Sequence, residues 1–328
     1  MKRCIEIAKK GLGDAAPNPT VGCVIVYDHH IIGEGYTSPY GGSHAEVNAI
    51  SSVKNKKLLS KSTLYVTLEP CCHHGKTPPC TDLIIQHKIP KVVIGCVDSS
   101  TKISGKGIEA LTSAGCEVIV GLCEKQCQEH HKRFFTMQNK KRPYIILKWA
   151  ETKNGFIAPL KKNTKNPVWI STEESQLLVH QWRSEEHAIL VGGNTVLEDN
   201  PRLTTRSVSG RNPVRIVIDT KDSLPKSAAI FNNDAKTIVL SSKHLNSKKN
   251  RAQQICNLLY DLNILSVIVE GGPKTLHYFI DENLWDEMRV FKGAVDFSDG
   301  IKGPSYSIEP QLKKKVANDE LLFYRNTN

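Results

Sequence analysis

Two stretches, Gly42-Ser43-His44-Ala45-Glu46 and Glu69-Pro70-Cys71-Cys72-His73-His74-Gly75-Lys76-Thr77-Pro78-Pro79-Cys80, decide how the first half of this chain is read. His44 to Val53 has the spacing of a helix, Leu64 to Leu68 is a β-rich run, and Cys80 to His87 opens behind Pro78-Pro79 as helices do. The two stretches therefore sit where the chain passes between extended runs and helices. One His with two Cys suits zinc and leaves the fourth tetrahedral position open to water. Glu46, two residues past the imidazole, is then a carboxylate able to take a proton from water and give it to a leaving amine. Cys80 follows Cys71 by nine residues, so one helical turn cannot present both thiols. Cys72, His73 and His74 compete with them as donors by residue type.

Working outward, Cys4, Ile5, Ala8 and Leu12 share a helical face that ends at Ala16-Pro17-Asn18-Pro19. Val21 to Tyr27 and Ile31 to Tyr36 read as a hairpin about Asp28-His29-His30, and strands at Val92 to Val97 and Glu117 to Val120 flank a helix near Ile108 to Ser113. Glu124 to Arg142 turns polar and charged, and the domain boundary is placed there: 1–142, then 143–328. In the second part, strands at Tyr144 to Trp149, Ala188 to Val191, Val214 to Asp219, Thr237 to Ser241 and Ser266 to Glu270 alternate with helices such as Glu173 to Arg183 and Arg251 to Leu262. That alternation predicts a largely parallel sheet.

The 328 residues, 39% hydrophobic and 23% charged, suit two globular domains and exclude a disulfide-stapled miniprotein or a low-complexity chain. No apolar run approaches the ~18 residues of a membrane helix, and a cytoplasmic protein without membrane contact is expected. Nine of the ten cysteines lie at or before Cys127, which favours local metal chemistry over a disulfide framework. Cys4, Cys23, Cys96 and Cys116 stand within apolar patterns and are expected as small buried hydrophobes. The net charge of +11 draws anionic ligands. Its Lys runs, such as Lys161-Lys162 and Lys313 to Lys315, are short, and aromatic residues do not interleave with basic ones, so nucleic acid is not expected as a partner.

No G-x-G-x-x-G follows a strand. Instead Val191-Gly192-Gly193-Asn194-Thr195 and Glu270-Gly271-Gly272-Pro273-Lys274-Thr275 each end a strand before a helical pattern, where bare N–H groups favour phosphate.

These motifs, with Pro17-Asn18-Pro19-Thr20-Val21-Gly22, Leu147-Lys148-Trp149-Ala150, Trp169-Ile170-Ser171, Trp182-Arg183-Ser184, Ala188 to Arg206 and Arg215 to Asp219, resemble the bifunctional riboflavin biosynthesis deaminase/reductase family over nearly the whole chain. The resemblance implies an α/β protein, an N-terminal cytidine-deaminase-like α/β/α domain followed by a dihydrofolate-reductase-like α/β domain. The implied reactions are zinc-dependent hydrolytic deamination of 2,5-diamino-6-ribosylamino-4(3H)-pyrimidinone 5′-phosphate, then NADPH-dependent reduction of the ribosyl group to ribityl. By this resemblance His44, Cys71 and Cys80 hold zinc, Glu46 is catalytic, and Asn18 and Lys76 bind the pyrimidine ribotide. NADPH would meet Glu151, Trp169, Thr195, Asp199, Thr220, Gly272, Pro273, Lys274, Thr275 and Leu276. The second substrate would meet Arg183, Leu203, Arg206 and Glu270, with both arginines as cationic forks for the ribose phosphate and Glu270 accepting from sugar hydroxyls. A homo-oligomer is compatible with this reading. The chain departs from the family pattern at Cys72 (for Ser), at Asp98-Ser99-Ser100 (for Asp-Pro-Asn), at Asn154-Gly155 (for Asp-Gly), and at Pro167, where a substrate-contacting Ser is absent.

Overall fold

The computed structural model describes residues 1–74, 78–99, 104–161, 168–246 and 248–327, and the chain divides into two units, Met1–Lys141 and Arg142–Asn328. The first unit contains α1 (Lys2–Ala8), β1 (Gly22–Tyr27), β2 (His30–Tyr36), α2 (Ala45–Ser52), β3 (Thr63–Leu68), α3 (Cys80–Gln86), β4 (Lys91–Cys96), α4 (Lys106–Ser113), β5 (Glu117–Val120) and α5 (Glu124–Lys140). Its sheet runs β2-β1-β3-β4-β5. β1 pairs antiparallel with β2 and β3, whereas β3, β4 and β5 are parallel. Asp28 and His29 both take positive φ, 46° and 60°, which gives the hairpin turn the twist its strands need. Ile25, Leu64, Val66, Val92 and Ile94 of the sheet pack with Ala49, Ile50, Ile84 and Leu111 of the helices in one apolar layer. Gly35 lets α2 lie directly on β2: a Cβ there would stand 2.3 Å from Ala49 N. That contact fixes the height of the helix carrying Glu46. Cys4, Cys23, Cys96 and Cys116 are buried as expected.

The polar stretch before the boundary is not a loop. It forms α5, 17 residues long, and buries Cys127, His131, Thr136 and Met137. Its inward face relies on paired polar groups more than on aliphatic ones. His131 Nε2 lies 3.1 Å from Thr67 Oγ1, and His130 Nε2 donates to Thr20 O at 2.7 Å. A helix that buries imidazoles shows little apolar periodicity, so its sequence reads as solvated.

The second unit runs β6 (Tyr144–Glu151), β7 (Phe156–Ala158), α6 (Glu173–Glu185), β8 (Ala188–Gly192), α7 (Gly193–Asp199), β9 (Val214–Ile218), β10 (Thr237–Leu240), α8 (Arg251–Asp261), β11 (Ser266–Val269), α9 (Pro273–Asp281), β12 (Glu287–Lys292), β13 (Ile301–Lys302), β14 (Leu312–Val316) and β15 (Asp319–Arg325). Eight strands form one sheet in the order β10-β9-β8-β11-β6-β12-β15-β14, and β7 pairs with β13. From β10 to β12 the neighbours are parallel, as the alternation predicts; β15 and β14 close the edge antiparallel. After β10 the chain returns to insert β11 between β8 and β6. This places the carboxyl ends of β8 and β11, each followed by a glycine pair, side by side. Among the described residues no helix is long and apolar enough to cross a membrane.

Candidate active sites

In the first unit three donors converge from three places. His44 is the N-cap of α2, Cys71 follows β3, and Cys80 is the first residue of α3. His44 Nδ1 lies 3.5 Å from Cys71 Sγ and 3.3 Å from Cys80 Sγ, and the three donor atoms fall within 4.8 Å of one another. The long Cys71–Cys80 spacing is closed by backbone: Cys80 N–H points at Cys71 Sγ (3.4 Å) and Thr81 N–H donates to Cys71 O (3.2 Å). The Cys71 thiol is held well below its usual value by the hydrogen bond from the Cys80 thiol, against burial, with help from His44 and the Cys80 amide. One imidazole and two thiols, one already favoured as thiolate, fit zinc. The rivals Cys72, His73 and His74 are not in this group.

Glu46, 4% exposed in the first turn of α2, is pushed up to about 7 by burial and by the charge of Cys71. A carboxyl poised there exchanges protons near neutral pH. It faces a cavity of about 360 Å³ lined by Asn18, His44, Cys71, Asp98, Phe134 and Gln138, among others. Lys76 lies outside the described residues. Glu69, adjoining the Pro70-Cys71 turn, is a buried carboxylate with another task. It accepts from the N–H groups of Asp98, Gly105, Gly107 and Ile108 at 2.9 to 3.4 Å, capping α4 and tying it to the ligand loop. Residue types alone gave no sign of that cap, nor of Phe134 and Gln138, which reach the cavity from the unpredicted α5.

In the second unit the two glycine turns meet. Gly192 N–H donates to Gly271 O at 2.9 Å. A Cβ on Gly192 would stand 2.7 Å from Thr275 Oγ1, and one on Gly193 would stand 2.9 Å from Ile218 O. Thr195 Oγ1 is 3.5 Å from where a Gly272 Cβ would be. The close packing at Gly192 and Gly193 requires glycine, and two strand-to-helix turns with bare N–H groups side by side fit the pyrophosphate of a dinucleotide. Pro273, Lys274, Thr275 and Leu276 form the first turn of α9, where Lys274 is exposed while Thr275 and Leu276 are buried. Asp199 ends α7, and Thr220 follows β9. Glu151 ends β6, its carboxylate accepting from Trp149 Nε1 (2.9 Å) and its carbonyl from Gly293 N–H (2.9 Å). Trp169 is 60% exposed, and Pro167 lies outside the described residues.

Arg183 is not a free fork. Its Nε and Nη2 donate to the two oxygens of Glu270 at 3.1 and 2.8 Å, and Nη1 donates to Thr204 O at 3.3 Å. Burial pushes the Glu270 carboxyl up, but Arg183 and Lys148 outweigh it and hold the group at about 2. Arg206 is less committed, with Nη1 3.4 Å from Thr204 Oγ1, and its N–H donates to His180 Nδ1 at 3.2 Å. Leu203 is buried at φ 53° in the same loop. Lys148 joins this cluster from β6. A charge inside the apolar run Tyr144 to Trp149 was the signal that could have found it.

Residues 143–295 match the RibD C-terminal domain family, and residues 1–96 match the cytidine and deoxycytidylate deaminase zinc-binding region. The riboflavin biosynthesis protein RibD of Aquifex aeolicus is 41% identical over 99% of this chain and 97% of its own length. The chain belongs to the RibD family. The RibD protein of Actinobacillus pleuropneumoniae is 40% identical over 98% of this chain and 92% of its own length. A Thermotoga maritima crystal structure, described as a diaminohydroxyphosphoribosylaminopyrimidine deaminase/5-amino-6-(5-phosphoribosylamino)uracil reductase, superposes with a TM-score of 0.90 at 39% identity, covering 99% of this chain and 97% of the other. As a RibD protein, the chain is a bifunctional riboflavin biosynthesis enzyme in which a zinc-dependent, cytidine-deaminase-like domain precedes an NADPH-dependent reductase domain.

Proposed function

We propose that residues 1–142 deaminate the diaminopyrimidine ribotide named for the Thermotoga relative, and that residues 143–328 reduce the ribosyl group of the resulting uracil ribotide to ribityl. The observation that carries this reading is the convergence of His44, Cys71 and Cys80 beside the buried carboxyl of Glu46. His44, Cys71 and Cys80 hold the zinc. Zinc, when bound, acts as a Lewis acid that makes water nucleophilic near neutral pH. Glu46 accepts the proton that the water loses and returns it to the departing amine, which a group held near 7 does in both directions. Asn18 orients the pyrimidine from the cavity wall, and Lys76 meets the ribotide phosphate. A cavity of this size suits one nucleotide-sized ligand.

In the reductase domain NADPH supplies the hydride. The turns at Gly192-Gly193 and Gly272-Pro273-Lys274 hold its pyrophosphate, with Thr195, Asp199, Thr220, Thr275 and Leu276 around it and Glu151 and Trp169 on its reactive side. Arg206 takes the substrate phosphate, while Glu270, fixed as a carboxylate by Arg183, accepts from ribosyl hydroxyls. All ten cysteines are free thiols, which suits the reducing cytoplasm. Incubating the enzyme with the diaminopyrimidine ribotide tests the order: deaminated product should accumulate without NADPH and be reduced when NADPH is added. Reduction of the diamino compound ahead of its deamination would contradict it.

A further inference from the structure

α5 is held against the first sheet at several points. Gly95 of β4 has no side chain where a Cβ would collide with Cys127 Sγ, so the helix lies directly on that strand. His131 Nε2 meets Thr67 Oγ1 of β3 at 3.1 Å, and His130 Nε2 donates to Thr20 O, two residues beyond Asn18, at 2.7 Å. Phe134 packs with Leu68, Cys96 and Cys127. These contacts fix the helix in rotation and height. They thereby place Phe134 and Gln138, which line the deaminase cavity from a helix outside the residues 1–96 that match the zinc-binding region.

Phe134 and Gln138 stand one turn apart on the same face of α5, with Gln138 about 6 Å further toward the carboxyl end of the helix. The cavity has a buried floor and an open mouth. Glu46, Leu68 and Asp98 at the floor are each 3 or 4% exposed, whereas Tyr40 at the mouth is 53% exposed. Phe134 reaches the floor through Leu68, while Gln138 is half-buried and directly precedes the exposed Asn139 and Lys140. Among the described residues the Gln138 carboxamide makes no hydrogen bond. It offers one carbonyl acceptor and an N–H2 donor to whatever fills the outer part of the cavity.

We propose that Gln138 selects the ribosyl group of the deaminase substrate, its carboxamide hydrogen-bonding to the 2′- and 3′-hydroxyls while Phe134 packs against the pyrimidine. The inference rests on deamination at the zinc site, as proposed above. The carbon that loses its amine has to reach the zinc ligands and Glu46, so the pyrimidine takes the floor and the ribosyl group the outer part. Vicinal hydroxyls both donate and accept, as a carboxamide does, so the two match as neutral partners. A cation in that place would instead suit the phosphate, which is left to Lys76. The residues that match the zinc-binding region thus supply the reaction chemistry, and α5 supplies the choice of substrate.

Ammonia release by the full-length enzyme from the diaminopyrimidine ribotide and from its 2′,3′-dideoxyribosyl analogue tests this. The wild type should prefer the ribotide by at least ~5-fold in kcat/KM, the scale of one neutral hydrogen bond. Q138L and Q138M, which keep the side-chain length and suit a helix, should lose that factor on the ribotide and treat the two compounds alike within about twofold. Their zinc content and their reduction of the already deaminated ribotide should equal those of the wild type, which shows that the fold survives. A wild type without the preference, or variants that keep it, overturns the inference. A wild type that releases ammonia from neither compound overturns the reading beneath it as well.

Discussion

Zinc chemistry depends on the identity of side chains, and for that reason the donor set was readable residue by residue. His44, Cys71 and Cys80 stood out because few combinations other than a metal site place an imidazole at one helix start, a thiol just after the next strand and a second thiol at the following helix start. Residue type alone left Cys71, Cys72, His73 and His74 as rivals; the family resemblance chose Cys71, and the Cys80 N–H to Cys71 Sγ contact is what folds the loop between the two cysteines. Metal analysis should find one zinc per chain in the wild type and in Cys72→Ser, and less than a tenth of that in Cys71→Ser or Cys80→Ser. Retention in Cys71→Ser with loss in Cys72→Ser would reverse the assignment. Glu69 illustrates what could not be read. Its four N–H donors lie between Asp98 and Ile108, and nothing in the neighbourhood of Glu69 in sequence announces them.

Elements with aliphatic faces were legible nearly to their ends, as β3, β9 and α8 show. α5 was not, because its interior positions are His131 and Thr136 as much as Cys127 and Met137. β14, with Lys313, Lys314 and Lys315 exposed, reads as solvated because it is the edge of its sheet and pairs with β15 on one side only. The half-buried His130 and the buried His131 of α5 make a prediction about acid. Burial pushes His130 down to about 4 and His131 well below its ordinary value. Between pH 6.5 and 4 the unfolded chain binds protons that folded His130 refuses, so stability falls as pH falls through that window and is fully present above it. Each such imidazole contributes up to about 1.4 kcal/mol per pH unit. Thermal unfolding of His130→Gln measured from pH 7 to 4.5 should show a shallower fall than the wild type. An identical slope would mean that this imidazole is already charged in the folded enzyme.

At the scale of the whole molecule, each proposed chemistry has its site within one of the two units. Resemblance along the sequence gave the order of the domains and their reactions, whereas the strand order explains how two ordinary Gly-Gly turns come together: inserting β11 beside β8 makes them neighbours, and that pair is the cradle proposed for the cofactor. The Arg183 fork, expected on the substrate phosphate, is paired with Glu270 in this structure. The central claim is that Glu46 moves the proton for deamination and that reduction proceeds without it. Glu46→Gln keeps the shape and removes the proton exchange. Its two half-reactions, measured separately with the diaminopyrimidine ribotide and with the already deaminated ribotide plus NADPH, test the claim most directly. The account predicts a full zinc equivalent, deamination slowed by at least ~10²-fold and reduction at the wild-type rate. Deamination at the wild-type rate, or an equal loss of both reactions in a folded, zinc-loaded protein, would contradict it.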